Sequence, residues 1–238
     1  MNFEGKNVLI IGGSSGIGLS VVKQLQAQKA VVYLISRSSS EEWGPDVHFL
    51  SADVTGEMGD VEAFLPQQLH GLVYSVGSIN LKPFNRLTMD DFMTDMQLNL
   101  FGAVKVIQQT LKQLKNAAGS SVVLVSSVAA STGMAYHASI AAAKGAVEGF
   151  ALSLASELAP AKIRVNVVAP SLTDTPLAKN LLSTPEKREA SEKRHPLGKI
   201  GKPEDISRAI TFLLSEESEW MTGQVMHVDG GMGNLKML

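Results

Sequence analysis

Seven residues, Gly12-Gly13-Ser14-Ser15-Gly16-Ile17-Gly18, constrain this chain more than any others. They follow a short β-branched apolar run, Asn7–Ile11, and open a helical pattern, Gly16–Gln28. Glycines let a strand turn sharply into a helix and let the backbone approach a ligand closely. The first helical turn then offers unpaired N–H groups and partial positive charge to an anion. The loop therefore predicts a crossover unit of a parallel sheet with a dinucleotide pyrophosphate at its turn. Gly12, Ser14, Ser15, Gly16, Ile17 and Gly18 are the candidate contacts. A plain structural turn is the alternative.

The rest of the chain repeats the alternation. Apolar runs at Val31–Ser36, Val47–Ser51, Leu72–Val76, Ser121–Ser126, Ile163–Ala169 and Gln224–Val228 read as further strands. Helical patterns lie at Val61–Leu69, Met89–Leu114, Ser139–Leu158, Leu177–Leu182 with Pro185–Lys193, and Pro203–Leu214. Strands this uniformly apolar are buried on both faces. The expected architecture is one doubly wound α/β domain over residues 1–238, a Rossmann fold with a seven-stranded parallel sheet and helices on both faces. Only about ten residues link the second and third strands, fewer than a helical crossover needs, so a loop or single turn is expected there. The charged segment Thr173–Pro196, punctuated by Pro176, Pro185 and Pro196, reads either as a mobile lid or as a surface helical pair.

Composition narrows the partners. Hydrophobic residues make up 45% and charged residues 18%, enough apolar matter for a large core. The formal net charge is −2 with Lys and Arg scattered, which gives no case for nucleic acid or an anionic membrane surface. There are no cysteines, so disulfides, thiolate metal sites and cysteine nucleophiles fall away, and no metal is expected. The first strand begins near Asn7, which leaves no room for a signal peptide, and no uncharged apolar run reaches membrane-spanning length. A cytoplasmic setting is expected.

Several further motifs carry a family resemblance over nearly the whole chain. Asp53-Val54 is similar to an acidic-plus-apolar pair that holds adenine. Arg164-Val165-Asn166-Val167-Val168-Ala169-Pro170 is similar to a segment that leads to a nicotinamide. Pro196-Leu197-Gly198, Gly201-Lys202-Pro203-Glu204-Asp205, Gly223-Gln224 and Val228-Asp229-Gly230-Gly231 complete the pattern. Together with the glycine loop, where Ile11 replaces the usual threonine, they resemble the short-chain dehydrogenase/reductase superfamily, nearest its β-ketoacyl-carrier-protein reductase branch. The resemblance implies hydride transfer between a nicotinamide cofactor and a small carbonyl, enoyl or hydroxy compound. It places a substrate-orienting Ser at Ser127, a ribose-binding Lys at Lys144, an Asn that holds a water relay at Asn99, and cofactor contacts at Gly77, Pro170 and Thr175. Four of them have a plainer alternative: Lys144 as an ordinary helix lysine, Ser127 as a strand-ending serine, Asn99 as a helix-kinking asparagine, and Thr175 as a helix N-cap before Pro176.

The chain departs from the family at the proton donor. The Tyr expected four residues before Lys144 is Ile140, which has no titratable group. The Asn-Asn-Ala-Gly after the fourth strand reads Tyr74-Ser75-Val76-Gly77, and the Gly after Pro170 reads Ser171. His137, seven residues before Lys144, shares its helical face at about 100° per residue if the helix reaches back that far, and is a candidate substitute donor. Tyr136 would be rotated by about 80°. A packing Tyr and a partly exposed His are the alternative.

Cofactor preference is read at the end of the second strand. NAD-selective proteins of this kind place a carboxylate there against the ribose 2′-hydroxyl. Here Ser36 is followed by Arg37, a hydroxyl and a guanidinium suited to a 2′-phosphate. NADP(H) is expected over NAD(H), unless Arg37 is only a solvated loop arginine. Two functions then compete: an NADP(H)-dependent oxidoreductase with a non-standard proton donor, and a catalytically silent relative that binds NADP(H) as a sensor. The Ala-, Gly- and Ser-rich helix Ser139–Leu158 and the resemblance imply a homotetramer or homodimer.

Overall fold

The computed structural model describes residues 1–236; the last two residues of the expected 1–238 domain lie outside the described residues. Seven strands form one sheet: β1 (Asn7–Ile11), β2 (Val31–Ser36), β3 (Val47–Ser51), β4 (Gly71–Tyr74), β5 (Ser121–Val125), β6 (Arg164–Pro170) and β7 (Val225–Val228). Their spatial order is β3-β2-β1-β4-β5-β6-β7, and every pairing is parallel. The helices are α1 (Gly16–Ala27), α2 (Val61–Phe64), α3 (Met89–Met96), α4 (Gly102–Asn116), α5 (Ala138–Leu158), α6 (Pro185–Glu192) and α7 (Pro203–Leu214).

Alternate residues along each strand feed opposite faces. Leu9, Ile11, Leu72 and Leu124 join Val106, Val147 and Ala151 of α4 and α5 in one cluster. Val8, Ile10, Val73 and Val123 join Val22 and Leu25 of α1 and Ile210 and Leu213 of α7 in the other. This double covering is why the strands read as continuous apolar runs. The chain leaves β1 toward β2 and β3, then returns to the other side at β4. The crevice at that reversal, at the carboxyl ends of β1 and β4, is where open α/β sheets hold ligands.

Three expectations need correction. The second helix ends at Phe64, not Leu69, because Pro66 lacks the N–H that would continue it. The helix expected over Met89–Leu114 is interrupted by a π-helical turn at Gln97–Phe101, with Asn99 inside it. Leu177–Leu182 lies within a 3₁₀ turn, Pro176–Leu182, that pairs with α6. The Thr173–Pro196 segment is thus a short helical pair, and residues 37–46 form turns without a helix, as their number demands.

The π turn has a visible anchor. Tyr74, where the family carries an asparagine, is 2% exposed and donates its hydroxyl to the Leu98 carbonyl at 2.6 Å. Burial raises its pKa, so the phenol stays a donor. A Cβ on Gly102 would collide with that hydroxyl, which explains the glycine after the turn.

Candidate active site

The carboxyl ends of the central strands open onto two adjoining cavities. The first, ≈ 340 Å³, is lined by the glycine-rich loop, by Ser36 and Arg37 at the end of β2, and by Asp53 with Val54 after β3. Gly12 has φ +84°, and a Cβ there would come within 2.8 Å of Val76 Cγ2. A Cβ on Gly18 would run into the Gly12 carbonyl oxygen and the Ser75 hydroxyl. Backbone alone fits, so the first turn of α1 sits directly on the crevice. Ser15 is the N-cap of α1 in extended geometry (φ −158°), and among the described residues no side chain caps that turn. Its N–H groups remain free for an anion.

Around this cavity the charges are ordered. Asp53 is exposed, and its carboxyl is held below the usual range, first by the Thr55 N–H, then by the Thr55 hydroxyl, with Arg37 adding a smaller attraction. Ser36 donates its hydroxyl to the Ser38 carbonyl at 2.7 Å and keeps its lone pairs, while the Arg37 guanidinium is exposed beside it. These residues, the free helix turn and the Gly12–Gly18 close approach fit a dinucleotide. When bound, it would bring a nicotinamide able to give or take a hydride.

The second cavity, ≈ 280 Å³, shares Ile17, Ser75, Val76, Gly77, Thr175 and Leu177 with the first. Ser127, Ile140 and Lys144 line it, with Pro170 at the end of β6 and His137 at the start of α5. The structure thus brings together the positions that the resemblance selected. Ser127 accepts the Ala129 N–H at 3.2 Å and keeps its own hydroxyl proton free to donate. Lys144 is 6% exposed and donates to the Val125 carbonyl at 2.8 Å. Burial pushes its ammonium down to about 8, against an opposing pull from Asp95. Asn99 is 1% exposed; its Nδ2 donates to the Asp95 carbonyl and to Ser78 Oγ. Its Oδ1 is buried without a partner, 3.3 Å from where a Gly77 Cβ would lie, and Lys144 Nζ is 3.4 Å from the same point. Gly77 keeps the floor between the two cavities open. Thr175 caps the 3₁₀ turn, as its plainer alternative held, and also lines both cavities against Gly16.

The two substitute donors separate. His137 is the N-cap of α5, half-buried on the second cavity, with Nδ1 2.6 Å from the Ala135 carbonyl. Tyr136 is 60% exposed at φ +68° and does not line the cavity. Ile140, 5% exposed, presents only methyl groups.

Sequence reasoning missed two polar residues, Asp95 and His195. Asp95, 1% exposed, accepts from Ser78 Oγ at 2.6 Å beneath Lys144. His195 contacts Ser171 across the chain. Asp95 falls one turn before Asn99, a spacing that was readable once the helix was assigned. His195 carries no local signal. A larger hollow, ≈ 800 Å³, opens at the amino ends of the strands near Phe3, His70 and Trp220. It lies away from the free helix turn and from every candidate residue.

Comparisons agree with this geometry. The family model described as enoyl-(acyl carrier protein) reductase matches residues 12–233. A tropinone reductase homologue of Arabidopsis thaliana is 33% identical over 97% of this chain and 94% of its own length. The 3-ketoacyl-(acyl-carrier-protein) reductase of Brucella melitensis, solved with NADH, superposes with a TM-score of 0.88 at 27% identity, over 98% of this chain and 100% of that one. ElxO, solved with NADP, gives 0.85 at 28% identity, over 96% and 98%.

Proposed function

We propose that this chain, which belongs to the short-chain dehydrogenase/reductase superfamily, is an NADP(H)-dependent oxidoreductase. Its substrate is a small carbonyl, hydroxy or enoyl compound, and its proton donor is not the family's tyrosine. The observation that carries this is the join between the two cavities through Gly77 and Thr175. A dinucleotide held at the glycine loop would present its nicotinamide to Ser127 and Lys144. Ser127 orients the substrate oxygen with its free hydroxyl proton. Lys144 binds the ribose and supplies positive charge where the oxygen gathers negative charge. Asn99 and Gly77 hold the floor beneath Lys144. The cavity carries Lys144, His137, Arg194 and His195 and, among the described residues, no carboxylate, which favours an uncharged or anionic substrate.

The silent-relative reading survives on one feature, Ile140. Retention of Ser127, Lys144 and Asn99 around a roomy cavity favours turnover, since a sensor needs only the first cavity.

NADP(H) is favoured over NAD(H) by Ser36 and Arg37. NADPH is expected to bind at least tenfold more tightly than NADH, and Arg37→Asp to remove that margin, because a charge-assisted bond to phosphate contributes roughly 1.5–3 kcal/mol. Fluorescence titration of both cofactors checks it; equal affinities in the unmodified protein reject it.

The residues form one domain in this reading, and the particle is a homotetramer or homodimer in the cytoplasm. Gly145 and Gly149 of α5 face open space and Leu152 beside them is 62% exposed, a small-residue face suited to a second copy. Light scattering at micromolar concentration is expected to give a multiple of 25.4 kDa, and a particle of 25.4 kDa rejects the assembly.

A further inference from the structure

His195 is 3% exposed and has both ring nitrogens engaged. Nδ1 lies 2.8 Å from the Ser191 carbonyl, and Nε2 lies 2.9 Å from Ser171 Oγ. A carbonyl only accepts, so Nδ1 carries a hydrogen, and Nε2 is the nitrogen left to accept from Ser171 or donate to it. Ser171 Oγ is also 3.2 Å from the Asp229 carbonyl. Two hydrogen arrangements satisfy these contacts. With a neutral ring, Ser171 donates to Nε2. With an imidazolium, Nε2–H donates to Ser171, whose own proton turns to the Asp229 carbonyl or to any acceptor in the cavity.

The pair faces the reaction space. Both residues line the cavity that holds Ser127, Ile140 and Lys144. The β5–β6 register pairs Val125 with Val168 near the carboxyl ends of both strands, and Ser127 and Ser171, a few residues further on, line the same cavity. Two departures from the family pattern therefore meet in one cavity: position 140 lacks a hydroxyl and position 171 has gained one. Lys144, Arg194 and His137 are the other titratable or charged groups on that wall. The Asp229 carboxylate is occupied by the N–H groups of Gly231 and Gly233, each at 2.8 Å.

We propose that Ser171, backed by His195, hands the proton to the substrate oxygen in place of the tyrosine absent at position 140; this rests on the oxidoreductase reading above. As the carbonyl carbon gains hydride from the reduced nicotinamide, its π pair moves to oxygen. The oxygen takes the Ser171 proton, Ser171 takes the Nε2 proton of the His195 imidazolium, and the neutral ring is reprotonated from water. Oxidation of an alcohol runs the same path backwards. Ser171 is the catalytic residue, and His195 positions and recharges it.

The test has two readouts. The first uses ¹⁵N NMR of the histidine rings in the protein without added cofactor. His195 is expected to show Nδ1 protonated and Nε2 hydrogen-bonded, and Ser171→Ala to shift Nε2 alone. The second follows NADPH oxidation with 2,3-butanedione. Ser171→Ala and His195→Gln are each expected to lower kcat about a hundredfold, with NADPH affinity unchanged and KM within a few fold, while Ser171→Thr restores most of the rate. In the background of Ile140→Tyr, Ser171→Ala is expected to cost less than tenfold, because a second donor then serves. Full kcat in Ser171→Ala, or an Nε2 signal indifferent to position 171, overturns the relay and leaves the oxidoreductase reading standing. Failure of the unmodified protein to oxidise NADPH with any carbonyl overturns both.

Discussion

Ile140→Tyr is expected to raise kcat for reduction of a plain ketone such as cyclohexanone by up to about 10²-fold, the part of a general-acid contribution of about 10²–10⁴-fold that Ser171 leaves unfilled, with NADPH affinity unchanged. Hydride arrival at a carbonyl carbon leaves negative charge on its oxygen, and a positioned acid quenches it in the transition state. Ile140 sits one helical turn before Lys144 on α5, 5% exposed, on the wall of the ≈ 280 Å³ cavity. Four residues of helix place the two side chains on one face. A phenol at position 140 therefore enters the cavity beside an ammonium that favours its ionised form. Ser127 lines the same cavity. The larger side chain is expected to cost about 1–3 kcal/mol of stability through overpacking, which thermal melting measures. Steady-state kinetics with the unmodified and substituted proteins decide the matter. No gain from Ile140→Tyr in a Ser171→Ala background, where no other hydroxyl donor serves, shows that Ile140 does not occupy the donor position.

The fold was legible because its signals are local. Each strand announces itself as an apolar run buried on both faces, and the Gly12–Gly18 loop sets the first crossover. The short 37–46 link excludes a helix by length alone. The misread boundaries follow from local chemistry that periodicity passes over, as Pro66 does in α2. The π turn at Gln97–Phe101 keeps the apolar pattern of a continuous helix, and only the Tyr74 hydroxyl reaching Leu98 from β4 marks it. The residues picked for the first cavity were readable as neighbours for the same reason as the strands, since they cluster at strand ends. The substrate side was not. Ser171 and His195 are separated by 23 intervening residues and meet only because the chain after α6 returns to the end of β6. Asp95 stands one helical turn before Asn99, a spacing open to reading, but its burial depends on which face of that helix meets the sheet.

Lys144→Met is expected to lower turnover about 10²–10³-fold and, at pH 7, to make the protein more stable. The ammonium is buried, and desolvation carries its pKa from the ordinary 10.5 down to about 8, with Asp95 resisting the fall. The unfolded chain keeps that proton up to about pH 10.4. Between the two values the unfolded state binds more protons, so stability rises with pH across that window. Below pH 8 the full penalty of the buried charge is present. At about 1.4 kcal/mol per pKa unit the penalty has a ceiling on the order of 3 kcal/mol. Methionine fills much the same volume without a charge and removes that penalty, offset in part because Asp95 loses its cation. The expected net gain is about 1–2 kcal/mol at pH 7. It should shrink toward zero near pH 10, where the native lysine is already neutral. Urea midpoints of both proteins at pH 7 and pH 10 measure this difference directly. A gain that is the same at both values means that Lys144 keeps its proton when folded, and its depressed pKa then plays no part in the site. A gain confined to pH 7, accompanied by lost turnover, means that the fold gives up stability to hold a charged amine beside the substrate oxygen.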